Sequence, residues 1–463
     1  METGCYSLAE LLAVAKTHPF YNTDIEYPAD AVTIQKLREL VIDQKTQPNI
    51  QRQPLLDKRT LYKIIKRLTH DVSPRNTYRQ SSYMSITGGG SGGVPMMFAV
   101  DVHENRRQRA QMGNFLKLCG VIEPGDWVLS IHLAGGFYRS LDLTTEIMEN
   151  AGATVLSAGS YMPPAEITKA LVDYHVNVLT GDGSQVVQAV YHVSMMAQED
   201  RECIRLNKII YTSEPLTGPQ RAFIKAILGD VKIFSVMGSA EAGPWAISSP
   251  DLTGEESLTS SSTDFIVDTR NTLLEIVSPS VIDGAYSDSD PPSYGEPGLI
   301  VLTSLQRLRN PLVRYITGDI GSIHPLPDTA FPLIPETDRQ HLCVLRMQGR
   351  DHRFSFKWYG AYFEFEMIDA FMRAREHGIL QWQIILARLE TTPQSTLEIR
   401  LLRSPPRDEV LSVDALTERL QAFFLIFPEN DHLSRIVFLD SLEGFERSIT
   451  AGKVIKFVDR WNK

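Results

Sequence analysis

Residues 83–101 read YMSITGGGSGGVPMMFAVD, and positions 88–93 are all glycine except Ser91. Thr87 precedes the run and Pro95 closes it. The flanks, SSYMSI before and VPMMFAVD after, are β-prone, and a helical pattern begins only around Glu104. The stretch therefore predicts strand, flexible loop, strand. Glycines let the backbone approach a ligand closely. Their consecutive N–H groups, with the hydroxyls of Thr87 and Ser91, make an anion nest suited to a polyphosphate. Gly88, Gly90 and Gly93 match G-x-G-x-x-G, but that fingerprint needs a helix directly after it and an acid about 20 positions on. Here a strand follows, and 108–113 read QRAQMG. A Walker loop ends in Gly-Lys-Ser/Thr, whereas this one ends Gly93-Val94-Pro95. The plain alternative is a hairpin tip or linker, although linkers seldom join two apolar strands.

The chain of 463 residues is long enough for two or three domains. Its net charge of -10 argues against a non-specific nucleic-acid or anionic-membrane binder, and leaves room for a small anion in a local basic site. Four cysteines, Cys5, Cys119, Cys203 and Cys343, have no C-x-x-C spacing. That fits a reducing, cytoplasmic compartment better than a disulfide framework or zinc site. The N-terminus lacks a basic region before its apolar patch, so no signal peptide is expected. No apolar run approaches the roughly 18 residues of a membrane span.

Residues 7–80 read as short helices (8–16, 34–43, 57–68) with no evident chemistry; His18, Phe20 and Tyr21 suit a packed corner around Pro19. From 120 to 240 strands and helices alternate strictly. Strands are expected at 127–133, 153–159, 177–182, 208–214 and 231–238, with helices between them. Such alternation means βαβ units and a parallel sheet, in which ligands bind past the carboxyl ends of the strands. The stretches to inspect are therefore 132–138, 181–183, 213–215 and 238–241. Residues 262–325 change to short strands and turns around a Pro/Gly/Ser/Asp-rich loop at 280–298, predicting a β-subdomain or distorted barrel. The last stretch reads as a small α+β domain of about 110 residues. The fold class is thus α/β: a large N-terminal domain (1–348) of parallel βαβ units plus a β-subdomain, a hinge at 349–353, and a small mobile α+β C-terminal domain (354–463).

Single residues point to chemistry only weakly. Glu241 in MGSAEAG follows a strand and a glycine turn, where a carboxylate suits Mg²⁺ or simply caps a turn. Asp319 in RYITGD, Arg350 in QGRDHR and Lys453 in SITAGK each have an ordinary surface alternative. Their order is more specific. A glycine/hydroxyl loop is followed by Ser-Glu-Pro, Gly-Ser-Ala-Glu, Tyr-Ile-Thr-Gly-Asp, Gly-Arg and a C-terminal Gly-Lys. This order resembles that of the adenylate-forming superfamily of acyl-CoA synthetases and adenylation domains, most of all the phenylacetate–CoA ligase branch. The likeness spans roughly 15–460 and is strongest in TSEPLTGPQR (212–221), YITGD (315–319) and GRDHRFSFKWYGAYFEFEMID (349–369).

The resemblance implies that a carboxylic acid attacks the α-phosphate of ATP, giving acyl-adenylate and pyrophosphate. Thr87, Gly88, Gly89, Gly90, Ser91, Gly92 and Gly93 would hold the outer phosphates, and Glu241 would bind Mg²⁺. Asp319 and Arg350 would hold the ribose. Ser213, Glu214 and Pro215 would line the adenine slot with Met237, Gly238 and Ser239. Lys453 would neutralise charge developing at the α-phosphate, so that catalysis is positioning and electrostatics without a protein nucleophile. The acid pocket is expected to take Ile131, His132, Ala134, Phe137, Tyr138, Ala242, Pro244 and Trp245, whose aromatics suit an aromatic or arylalkyl acid. The chain departs from the family pattern at Val94, where a lysine is usual, at Met237, usually aromatic, and at His352, usually aspartate. The acceptor of the second step therefore stays open among CoA, an amine and a carrier-protein thiol, and a degenerate nucleotide binder is the non-enzyme alternative. A homodimer would fit the resemblance.

Overall fold

The structure is a computed structural model that describes residues 5–42, 48–86, 97–135, 137–213, 216, 218–255, 262–278, 295–350, 355–389, 394–403, 410–446 and 454–461. The chain forms two compact units, one of the described residues up to Gly349 and one of those from Arg350 onward.

In the first unit an eleven-stranded sheet carries the architecture. Five strands run parallel, in spatial order Thr154–Ser157, Trp127–Ser130, Val178–Asp182, Lys208–Thr212 and Lys232–Ser239. Their apolar residues alternate between two cores. Val128, Val178, Ile210 and Phe234 pack against helices Val102–Leu118 and Ser140–Ala151 on one face. Leu129, Leu179, Ile209 and Ile233 pack with residues of helices Pro164–Asp173, Gly183–Ser194 and Gly218–Leu228 on the other. A sheet buried on both faces explains why these strands read as continuous apolar runs. The expected elements are present. Three strands stop short of their expected ends, at Ser130, Ser157 and Thr212.

The β-rich half continues the same ladder without a break. Strand Lys232–Ser239 pairs antiparallel with Gly243–Ser248, which pairs with Thr263–Asp268, and that with Leu342–Arg350. Tyr315–Pro325, Gly298–Ser304 and Thr272–Val277 complete the sheet. Most of the 280–298 loop lies outside the described residues. Strands Ser82–Ile86 and Met97–Asp101 form an antiparallel ribbon, with Ile86 opposite Met97, as the flanks of the glycine run predict. Asp101 ends that ribbon and caps helix Val102–Leu118, its Oδ1 accepting from His103 N (2.9 Å) and Glu104 N (3.2 Å).

The packed corner expected at Pro19 is present. His18 is fully buried; its Nδ1 accepts from Phe20 N (3.1 Å), so Nε2 carries the proton that meets Asn310 Oδ1 at 3.2 Å. Burial pulls this imidazole down to about 3, and the bond to Asn310 offsets only part of that. An unfolded histidine titrates near 6.5, so the unfolded chain binds more protons between about pH 6.5 and 3. The stabilisation is therefore complete above pH 6.5 and is lost as pH falls through that window. At about 1.36 kcal/mol per pH unit, roughly 2 kcal/mol should disappear between pH 6.5 and 5. Urea unfolding at several pH values should show this slope in the natural chain and a flatter one in His18→Gln; equal slopes would refute it.

The second unit is a separate α+β body. Its four-stranded sheet is ordered Ser434–Leu439, Ser395–Arg403, Ile379–Arg388, Phe457–Asp459, with an antiparallel centre and parallel outer pairs. Helices Phe365–Met372 and Val413–Phe423 contribute Ile368, Leu416 and Leu420 to its core. Trp358, on the Ser355–Trp358 strand, is buried there with Nε1 donating to Ser395 O at 3.1 Å.

Candidate functional site

Parallel strands end on one side of a sheet, and the described residues of the four predicted stretches lie at or past those ends. The tightest constellation surrounds Glu241. Strands Lys232–Ser239 and Gly243–Ser248 pair with Gly243 opposite Ser239, so Ala240, Glu241 and Ala242 form the hairpin loop. Ser239 Oγ accepts from Ala242 N (3.0 Å) and fixes the turn. Gly243 has φ +72°, and a Cβ there would lie 2.5 Å from Gln108 Oε1. Only glycine suits that position.

The hairpin thereby holds a buried carboxylate, with Glu241 6% exposed. Its Oε1 accepts from the hydroxyls of Tyr62 (2.5 Å) and Tyr315 (3.2 Å). Tyr62 comes from helix Lys58–His70, which starts at an Asp57 cap (Thr60 N donating to Oδ1, 2.8 Å). Tyr315 opens the strand that carries Asp319. The residue before it, Arg314, has φ +48° and is fixed by Thr303 Oγ1, to which its N–H donates (2.8 Å), and by Glu275, to which its Nε donates (3.0 Å). Behind the loop, buried Arg307 donates through Nη1 to Glu241 O, and Gln108 Nε2 donates to Ala242 O (2.8 Å).

A second constellation joins the ends of three adjacent strands. His132 is fully buried, with Nε2 3.0 Å from Thr180 Oγ1 and Nδ1 3.5 Å from Asp182 Oδ1. Asp182 Oδ1 also accepts from Ser213 Oγ (3.0 Å) and Thr212 Oγ1 (3.2 Å). Burial favours the neutral acid, but His132, Ser213 and Thr212 outweigh it and hold the Asp182 carboxyl below its ordinary range. Glycine at 181 leaves room for the Ile131 side chain: a Cβ there would sit 2.7 Å from Ile131 Cγ1.

The remaining predicted residues divide as follows. Met237, Gly238, Ser239, Ala242, Pro244 and Trp245 share the Glu241 hairpin, with Trp245 buried at its β-bulge. Ala134 and Tyr138 lie on a two-residue ribbon (Ala134 opposite Arg139, Gly135 opposite Tyr138), and Phe137 at its tip is 71% exposed with φ +69°. Asp319 follows Gly318 (φ +81°), and its N–H donates to Thr317 Oγ1 at 3.1 Å. Arg350 ends strand Leu342–Arg350. Thr87, Gly88, Gly89, Gly90, Ser91, Gly92, Gly93, Glu214, Pro215, Lys453 and the departures Val94 and His352 lie outside the described residues. Sequence reasoning missed Tyr62, Thr180 and Arg307, and it gave no role to Asp182 within the 181–183 stretch or to Tyr315 within YITGD. Asp182 had a signal, an acid at the end of a parallel strand; Tyr62 had none.

An open hollow of about 420 Å³ lies elsewhere, in the second unit, lined by Phe365, Asp369, Trp382, Lys456 and Phe457. Among the described residues its polar lining is Lys456, with Nζ 4.5 Å from the Trp382 ring centre, and the carboxylate of Asp369. The strand ends are the better candidate site.

Among the described residues no group of three or more His, Cys, Asp or Glu is arranged to hold a metal. A lone carboxylate such as Glu241 nevertheless fits Mg²⁺, which takes one or two carboxylates from a protein and the rest from phosphate and water. Nor is any helix among them long and apolar enough to cross a membrane.

No family model and no curated protein sequence matches the chain. Solved structures do. Over 97% of this chain and 87% of that one, it is similar to 2-hydroxyisobutyryl-CoA ligase in complex with 2-HIB-AMP and CoA in the thioesterification state, at TM-score 0.64 and 15% identity. An open conformation of that ligase matches at TM-score 0.54 and 15% identity, over 97% of this chain and 89% of that one. The amide bond synthetase McbA from Marinactinospora thermotolerans matches at TM-score 0.53 and 14% identity, over 82% of this chain and 68% of that one. The chain has the fold of the adenylate-forming enzymes, the superfamily that the motif order resembles.

Proposed function

We propose that this chain is an ATP-dependent ligase that activates a carboxylic acid as its acyl-adenylate, releases pyrophosphate and passes the acyl group to CoA. One observation carries the reading: in a sheet of this fold, a buried glutamate at the last parallel strand end is gripped by Tyr315, from the strand that bears Asp319. Glu241 offers the carboxylate for Mg²⁺, which when bound would neutralise phosphate charge. Asp319 and Arg350 hold the ribose, and Ser213 and Met237 flank the base. His132, Ala134, Phe137, Tyr138, Ala242, Pro244 and Trp245 shape the acid pocket, and their aromatics favour an aryl or arylalkyl acid. On the motif order alone, Thr87 and the 88–93 loop take the outer phosphates. On the same ground, Lys453 takes the charge developing at the α-phosphate, and 349–353 is the hinge of a mobile 354–463 domain. The similarity to an amide bond synthetase supports a second reading, in which an amine accepts the acyl group.

The test is pyrophosphate release with ATP, Mg²⁺ and a panel of aliphatic, aromatic and arylacetic acids, without and then with CoA. Release should depend on one class of acid, and CoA should raise it with thioester formed. Release without thioester would transfer the reading to amines. No release with any acid, together with no ATP binding by calorimetry, would overturn it.

A further inference from the structure

We infer that Asp182 is a positioning residue that ties His132, on the acid side, to Ser213, on the nucleotide side; this rests on the roles just proposed for those two residues. The three residues come from neighbouring parallel strands, and one carboxylate oxygen serves them. Asp182 Oδ1 lies 3.0 Å from Ser213 Oγ, 3.2 Å from Thr212 Oγ1 and 3.5 Å from His132 Nδ1. An ionised carboxylate only accepts hydrogen bonds. The ring nitrogen facing it therefore carries the proton, and Nε2 accepts from the Thr180 hydroxyl at 3.0 Å. His132 Nδ1 is buried and has no hydrogen-bond partner among the described residues. At 3.5 Å from the carboxylate it is aimed but not locked, a polar atom whose desolvation is offset only when the gap closes or a ligand meets it.

Ser213 supplies the second half of the argument. Its φ of +67° is costly for any residue but glycine, and such strain persists where the surroundings impose it. The bond from Ser213 Oγ to Asp182 is one such constraint, and it sets the direction in which the chain leaves strand Lys208–Thr212. Asp182 is itself held. Its N–H donates to Gln185 Oε1 (3.2 Å), and it stands at the N-terminus of helix Gly183–Ser194, where the helix dipole favours an ionised carboxylate. Moving Asp182 would thus shift both sides of the site together. A simple helix cap would involve neither His132 nor Ser213.

The full-length chain, labelled with ¹⁵N-histidine, tests this by its long-range ¹H–¹⁵N spectrum, with the His132 signals assigned by their loss in His132→Gln. The natural chain should show the Nδ1–H tautomer. Asp182→Asn should keep it, because the amide oxygen still accepts, and Asp182→Ala should shift it toward Nε2–H. By calorimetry, Asp182→Ala should weaken ATP binding roughly tenfold, and adding Ser213→Ala should weaken it little further, as expected for residues acting as one unit. An unchanged tautomer and unchanged ATP affinity in Asp182→Ala, with only a lower melting temperature, would reduce Asp182 to a helix cap and overturn the inference. If the natural chain binds no ATP, the ATP reading fails, and the tautomer alone decides whether Asp182 orients His132.

Discussion

Lys453→Ala should lower acid-dependent pyrophosphate release by about 10²–10³-fold, while ATP binding measured by calorimetry changes less than about threefold. When a carboxylate attacks the α-phosphate, negative charge accumulates where neither ground-state partner carries it. A cation that meets only this charge lowers the barrier without tightening substrate binding, so kcat falls on its removal and affinity does not. Lys453 stands in ITAGKVIKF, at the last motif of the ordered series. Lys456, three residues on, is the internal control. It stacks 4.5 Å above Trp382 and is pulled below its ordinary range by burial, a packing role that Lys456→Ala should expose as lost stability with turnover kept. Equal turnover in natural and Lys453→Ala chains would dismiss Lys453 as the activating cation. Loss of both turnover and ATP binding would make it a nucleotide ligand instead.

What the sequence discloses and what it hides have different physical origins. Alternating β and α elements are encoded locally. WVLS, NVLTGD and KIIYT each carry enough apolar and β-branched residues to declare a buried strand, and glycine or proline marks where each ends. The ribbon around the glycine run is legible for the same reason. The site is partly legible because its motifs lie at strand ends, where βαβ topology places ligands. The group that holds Glu241 is not legible. Tyr62 reaches Glu241 across 179 residues of chain and Tyr315 across 74, and nothing in LYKII announces a hydroxyl directed at a distant carboxylate. The strand expected over 127–133 ends at Ser130, with Ile131 N still donating to Thr180 O at 2.9 Å, and the contact of the next residue, His132, with Thr180 Oγ1 is one that β-propensity does not contain. Arg307 passed unnoticed because LQRLRN looks like a solvated turn.

Arg307 is in fact buried, 2% exposed, and its removal carries the second large effect. Its guanidinium packs over Phe98, 5.3 Å from the ring centre, with Nη1 donating to Glu241 O and Nη2 to Gln108 Oε1 at 3.4 Å. Burial pulls it down to about 10, against the opposing pull of Glu104 and Glu241, so it remains a cation at neutral pH. Glu104 is buried as well. Burial pushes its carboxyl up, although Leu308 N and Tyr6 Oη donate to its Oε1, both at 3.0 Å. Among the described contacts no direct ion pair joins Arg307 to Glu104; the two buried groups act on each other through the field, and removing such a buried counter-charge costs at most the roughly 3–5 kcal/mol typical of breaking a buried pair. Arg307→Met keeps the volume and removes the charge. It should lower the melting temperature of the first unit by on the order of 10 °C, and it should lower turnover too, since Glu241 O loses the donor that steadies its loop. Pairing it with Glu104→Gln should recover part of the stability, because the stranded carboxylate is then gone. The turnover defect should remain, because the Glu241 loop still lacks its donor. A single variant within about 1 kcal/mol of the natural chain would refute the charge argument. A double variant that regains turnover as well as stability would show that Arg307 serves the fold alone and that the Glu241 loop is held by its tyrosines.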